Sequence, residues 1–369
     1  MKKLIAIIVA AFTLSNSNAQ MEKYHSDKLE TVIDLGEYQA IGVAVSPKNR
    51  VFISFPKRGG KYDMGLAEIE HGKKVVFPDN SWNDNNLDED HHFLNVQDLV
   101  VDGSNNLWVL DSKPASKGSI AGLNAGGDTV GHFKMLKIDL NTNKVVAVYH
   151  FNGLDKSHSG LNDMRIDVDR QLAYLSDPGQ AAIVVLDLKT DQARTVLAKS
   201  KYTTADTNIV LTYDGHQMRN QQGKPFVSNV NGIALTRDYK YFYFKPINCD
   251  ELYRIDTKYL SDAQLSDAEL MSHVEAVGNV GITHGLVADA KGNIYLTTST
   301  NYTITYISPD GKIHTLLQDS RLLWPDSLGI GTDGYVYFSC SQLQREAPWN
   351  NGKDERVLPY RIYRVKLPK

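Results

Sequence analysis

The chain has 369 residues, with 40 basic against 43 acidic side chains, a formal net charge of −3, 42% hydrophobic residues and 22% charged ones. That balance suits a sizeable folded core. It excludes a highly charged disordered tail, and also a strongly basic nucleic-acid binder, which needs a charge excess to contact phosphates. The length alone allows two or three domains, but all-β architectures often run well beyond about 150 residues in one piece, and 19 Tyr, 11 Phe and 12 Pro lean toward strands and turns.

The N-terminus reads Met1-Lys2-Lys3, an apolar run Leu4 to Leu14, then Ser15 to Ala19 before Gln20. A basic start, a short apolar stretch and the small-residue pair Ser17-x-Ala19 have the anatomy of a cleaved secretory signal peptide over residues 1–19. So short an apolar run cannot cross a ~30 Å hydrocarbon core. No Cys follows the cleavage point, which argues against a lipid anchor, and no later segment is apolar enough to span a membrane. The expected mature chain, residues 20–369, is a single exported domain, periplasmic or secreted. Two cysteines, Cys249 and Cys340, permit a disulfide without requiring one. Asp90-His91-His92 is the one run suggestive of metal ligands, and neighbours on an acidic loop ordinarily face water.

One pattern recurs six times at intervals of about 40 to 70 residues: an apolar strand, a polar turn and a second, aromatic-rich strand. The copies are Gly42 to Phe55, Gln97 to Asp111, Asn162 to Asp177, Asn231 to Pro246, His284 to Ser299 and Asp326 to Ser341. Alternation around central Asp, Asn, Gly and Lys residues argues a β-hairpin in each. Further strands are expected at Phe133 to Leu140, Val145 to Phe151, Ala182 to Leu188, Leu252 to Asp256, Ile304 to Ser308, Ile313 to Leu317 and Tyr360 to Leu367. About four strands per copy predict an all-β six-bladed β-propeller. Leu29 to Leu35 is expected to supply the outer strand of the last blade and so close the ring. Polar insertions at Pro78 to Asn95, Pro114 to Thr129 and Tyr202 to Val227 read as loops, and Ser261 to Val277 as one decorating helix, with Ser caps followed by acidic residues.

Propeller geometry places the start of each inner strand and the end of its partner at one mouth of the central channel. The starts are Ile41, Gln97, Asn162-Asp163, Asn231, His284 and Asp326; the ends are Phe55 with Lys57 and Arg58, Asp111, Asp177, Lys245, Ser299 and Ser341. Such residues also cap turns, but a ring of acids, amides, imidazole and hydroxyls in one concavity is the expected site. Arg58, Gln97, Asp111, Asp163, Asp177, Asn231 and Lys245 are its candidate ligand-binding residues. His284 suits a general base or a hydrogen-bonding wall. Asp163, Asn231 and Asp326 are hard oxygen donors that offer a place for Ca²⁺ or another divalent ion, with water and carbonyls completing six to eight ligands. No other cofactor is expected.

QDLVVDGSNNLWVLD (97–111), AYLSDPGQAAIVVLDLKTDQARTV (173–196), GIALTRDYKYFYFKPINCDELYRIDTKYL (232–260) and LLWPDSLGIGTDGYVYFSCSQLQ (322–344) together resemble the successive blade signatures of the yellow/major royal jelly protein family. The resemblance runs through most of residues 30–369 and implies an exported six-bladed propeller. It implies either dopachrome conversion or binding of small ligands such as biogenic amines in the channel, and it carries over no agreed catalytic motif. For tautomerisation of a dopachrome-like quinone, His284 or Asp326 is the candidate base, and Lys57, Arg58 or Lys245 would clamp the carboxylate. A more distant likeness to gluconolactonase-type propellers rests on Asn231-Gly232 and Pro325-Asp326. Ile41 stands near where a metal-binding Glu would be expected, and Ser327 replaces the Gly of Pro-Asp-Gly, which weakens a divalent-metal lactonase. The expected partner is a small molecule, not nucleic acid or membrane.

Overall fold

The computed structural model describes residues 24–58, 61–114 and 130–369; the expected leader and almost all of the Pro114 to Thr129 insertion lie outside them. Six four-stranded antiparallel sheets form the blades. Blade 1 holds Val43–Val45, Val51–Ser54, Leu66–Glu70 and Lys73–Val76. Blade 2 holds Val96–Val101, Asn106–Lys113, His132–Asp139 and Lys144–Tyr149. Blade 3 holds Met164–Asp167, Leu172–Asp177, Ala182–Asp187 and Gln192–Val196. Blade 4 holds Val230–Leu235, Tyr241–Pro246, Glu251–Asp256 and Glu275–Asn279. Blade 5 holds Thr283–Ala288, Ile294–Thr298, Thr303–Ile307 and Ile313–Gln318. Blade 6 joins Pro325–Ile330, Tyr335–Cys340 and Tyr360–Lys366 to Glu30–Gly36 from the other end of the chain. Each inner strand packs beside that of the next blade, and the sixth beside the first, so the ring is a six-bladed β-propeller.

Closure follows the expected plan. Ile33 pairs with Ile362 and Gly36 with Tyr360, and Asp34–Arg361 (2.7 Å) and Glu30–Arg364 (2.8 Å) ion pairs lie along the seam. Both faces of each blade are covered by neighbours, so the middle strands read as continuous apolar runs. A separate buried cluster fills each junction: Phe52, Leu99 and Leu136 lie between blades 1 and 2, for example, and Tyr174, Ile233 and Phe242 between blades 3 and 4. Both cysteines are free thiols. Among the described residues no helix is long and apolar enough to cross a membrane.

The helix expected at Ser261 to Val277 is corrected. Two short helices form instead, Thr257–Leu260 and Asp267–Ser272, the second opened by a Ser266/Glu269 capping box. Glu275–Asn279 pairs with Glu251 to Arg254 as the fourth strand of blade 4. A helix continued through Val277 would leave the third strand of that blade without its ladder partner, and those hydrogen bonds outweigh a weak local propensity.

Candidate functional site

The inner strands change register at the mouth in four blades: Val96/Asp98, Val230/Ile233, Thr283/Leu286 and Pro325/Leu328. These bulges contain Gln97, Asn231, His284 and Asp326, and a bulge re-aims its side chain out of the sheet's regular alternation. Hydroxyls of the second strands take up freed backbone donors. Gly42 N–H donates to Ser54 Oγ (2.7 Å), Asp163 N–H to Ser176 Oγ (3.1 Å) and Gly285 N–H to Thr297 Oγ1 (2.8 Å).

His284 is buried against Trp324, their rings stacked at 3.8 Å and 16°. Its Nε2 lies 2.7 Å from Ser299 Oγ, which is 2.8 Å from Tyr213 Oη, and Nδ1 has no partner among the described residues. We assign the ring proton to Nε2, because an orphaned N–H costs more than an orphaned lone pair. Burial, with the Lys245 charge adding to it, holds His284 well below the usual imidazole value, so the ring is neutral at pH 7. Asp326 accepts a hydrogen bond from Ser341 Oγ at 3.3 Å, and burial pushes its carboxyl up to about 7 against the nearby Arg58 charge. Asp163 accepts from Asn162 Nδ2 at 2.9 Å, and burial, then the Asp98 charge, raise it well above the usual carboxylate range.

Arg58 gives one N–H to Glu346 at 3.4 Å, while Nε and Nη1 are buried without a partner among the described residues. Gln97 Nε2 donates to Asn162 Oδ1 at 3.1 Å and leaves its Oε1 unpartnered, as is Asn231 Nδ2. Lys245 is fully buried, donates to Pro246 O at 3.0 Å, and is pulled down to about 8 by burial. Lys57 sits over the Tyr62 ring at 4.9 Å. The mouth is roofed by a hairpin, Thr212–Tyr213 with His216–Gln217, and by turns Leu343–Arg345 and Ala347–Trp349, where Tyr213, Phe226, Trp324 and Leu343 share one apolar cluster.

Asp111 and Asp177 occupy equivalent positions and do a different job. Asp111 accepts from Leu94 N and Asn95 N (2.5–3.1 Å) and pairs with Lys134 Nζ at 2.6 Å. Asp177 accepts from Gly160 N, Gln180 N and Gln180 Nε2 (2.8–3.1 Å). Each clamps the backbone that enters its blade's inner strand. Lys134→Met should therefore leave the buried Asp111 carboxylate without its ion-pair partner, with only its backbone donors and the nearby Lys57 charge, and cost about 3–5 kcal/mol in a urea melt.

The raised carboxyls also set a stability slope. A carboxyl whose folded pKa exceeds its unfolded one stabilises fully below the unfolded value, and that contribution is lost as pH rises through the folded value. For Asp326 the window runs from about 4 to about 7. Wild type should therefore lose stability relative to Asp326→Asn between pH 5 and pH 8, read as the difference between paired urea melts. A pH-independent difference would remove Asp326 from this environment.

Sequence reasoning missed Tyr213, Trp324, Asp98 and Arg165 as channel residues. Trp324 had a signal, standing two residues before Asp326 in a signature segment; Tyr213 comes from a polar insertion and had none. For the divalent ion expected at Asp163, Asn231 and Asp326, no group of three or more His, Cys, Asp or Glu stands together among the described residues, and two channel carboxylates have guanidinium neighbours, Arg165 at Asp98 and Arg58 near Asp326.

In overall shape the chain is similar to a gluconolactonase from Xanthomonas campestris (11% identity, TM-score 0.53, covering 92% of this chain and 89% of that one). It is also similar to a luciferin-regenerating enzyme (13%, 0.55, 92% and 94%) and to regucalcin, a calcium-binding protein from Agrobacterium tumefaciens (13%, 0.53, 92% and 95%). At such identities the likeness is one of fold. No curated protein matches the chain in sequence. The family model described as Major royal jelly protein, however, matches residues 94–367, spanning blades 2 to 6 with the Trp-Pro-Asp and Leu-Gln segments at the mouth, and the chain belongs to the major royal jelly protein family.

Proposed function

We propose that the roofed mouth binds a small aromatic or polar molecule bearing a carboxylate and performs a dopachrome-type tautomerisation on it. One observation carries this reading: Arg58 Nε and Nη1, Gln97 Oε1, Asn231 Nδ2 and His284 Nδ1 come from four blades, stand at one mouth, and are buried with no partner among the described residues. Leaving so many polar atoms unpaired costs stability unless a ligand completes them. Arg58 would hold the substrate carboxylate. Asp326, poised near neutrality, would take the C–H proton. The electron pair then moves through the ring to the quinone oxygen, with Asn231 Nδ2 giving a hydrogen bond to the developing charge; that oxygen takes up a proton from solvent as Asp326 releases the one it took, so substrate and product are isomers.

Purified protein should consume dopachrome above the buffer rate and bind dopamine by calorimetry. Binding without turnover would leave a non-catalytic amine or catechol carrier, and neither would overturn the reading. Arg58→Gln should raise KM for the carboxylate-bearing dopachrome at least about tenfold while leaving dopamine affinity within about twofold. Equal losses for both would remove the clamp. Residues 1–19 support export, and the mature protein should then begin at Gln20 on N-terminal sequencing; an intact Met1 would refute it.

A further inference from the structure

Arg165 divides the channel. It leaves blade 3, donates to Met164 O, reaches Asp98 Oδ2 of blade 2 at 3.3 Å, and donates to Leu286 O of blade 5 at 2.8 Å. Blades 2 and 5 face each other across a six-membered ring, so this one guanidinium crosses the channel between the mouth described above and the opposite one.

Beyond it lies a cavity of about 190 Å³ walled by Val45, Val101, Ile166, Leu235, Ala288 and Ile330, one residue from each inner strand. Arg237 stands at its rim, exposed to solvent, with no hydrogen-bond or ion-pair partner among the described residues; Tyr239, Asp289 and Arg165 lie within electrostatic reach of it. The two nearby acids are already engaged. Asp102 accepts from Ser104 N, Asn106 N and Nδ2, and Trp108 Nε1; Asp289 accepts from Lys291 N, Asn293 N and Nδ2, and Tyr295 Oη. The cavity therefore combines apolar residues from all six blades, in a lining of mixed polarity, with a solvent-exposed guanidinium free of ion pairs at the rim and a second guanidinium as its floor.

We propose that this opposite mouth is a second, separate binding site for a small organic carboxylate with an apolar body of about one ring. The walls would take the ring, and Arg237 would meet the carboxylate through paired N–H donors. A purely inorganic anion would leave the walls unused, and a neutral ring would leave the cation unpaired.

Calorimetry with benzoate, acetate, inorganic phosphate and benzyl alcohol tests it on wild type, Arg237→Gln and Arg58→Gln, each first checked for an unchanged melting temperature. Benzoate should bind wild type more tightly than the other three, lose at least about tenfold in affinity in Arg237→Gln, and stay within about twofold in Arg58→Gln. No benzoate binding, or equal affinity in Arg237→Gln, overturns the site. Loss in Arg58→Gln moves the benzoate to the roofed mouth, which also overturns it. Acetate, phosphate or benzyl alcohol binding as tightly as benzoate overturns the assigned chemistry.

Discussion

Asp326→Asn is expected to lower dopachrome turnover by about 10²- to 10⁴-fold, the range that a positioned general base supplies. The amide keeps the size of the carboxyl but cannot take a proton. It can still accept from Ser341, so binding should survive while kcat falls. A base with a pKa of about 7 predicts a wild-type rate that climbs through neutrality and levels off above it. That limb should vanish in the variant. His284→Ala should act differently. A neutral ring stacked on Trp324 is first of all a wall, and its loss opens space beside Tyr213 and Ser299. Its effect should therefore fall on KM as well as kcat. Should Asp326→Asn turn over dopachrome at the wild-type rate, the base has been misassigned.

Gly285→Ala is expected to cost about 3 kcal/mol or more and to disturb the mouth together with the fold. A Cβ at Gly285 would stand 1.9 Å from Asp326 O, and one at Gly232 would stand 2.2 Å from His284 O. In both cases the obstacle is backbone of the neighbouring blade, which cannot swing away as a flexible side chain does. The inner strands of blades 4, 5 and 6 come this close because glycine follows the mouth residue in blades 4 and 5. The change should therefore shift Asp326 and depress activity beyond what the lost stability explains. Gly103→Ala is the control, since a Cβ there meets nothing within 4 Å. It should stay within about 0.5 kcal/mol of wild type in the same melts.

The ring was legible because each blade repeats one hairpin, with alternation and turn residues in the same places. The closing strand could be placed because Ile33 and Leu35 carry the apolar pattern of a strand that must find a partner. Strands such as Lys73–Val76 and Gln192–Val196 were not legible. They are short outer strands with charged or polar residues, held by their neighbours' ladders more than by their own pattern. Glu275–Asn279 was misread for the same reason.

The site was legible to the depth of its position along a strand and no further. Gln97, Asn231, His284 and Asp326 begin inner strands, and a bulge at that point aims each of them at the channel. Asp111 and Asp177 looked equivalent in the sequence, yet free backbone donors one loop away claim their carboxylates. Which partner captures a carboxylate depends on loop geometry, and periodicity says nothing about it. Tyr213 was invisible because long-range packing on Trp324, not any local pattern, brings it over the mouth.

The pairing of Glu30–Gly36 with Tyr360–Lys366 sets an order of events during synthesis. Of the described strands, the first to leave the ribosome is completed by the last. Until then blade 6 lacks its outer strand, and the open edge of Tyr360–Lys366 does not yet exist to receive it. Local hairpins can form early because their contacts are near in sequence, but this contact joins Glu30–Gly36 to Tyr360–Lys366, and such non-local contacts form slowly. A chain released before Tyr360 would carry a solitary apolar strand at one end and an unsealed ring at the other, and stalled translation should therefore yield aggregates in preference to stable fragments.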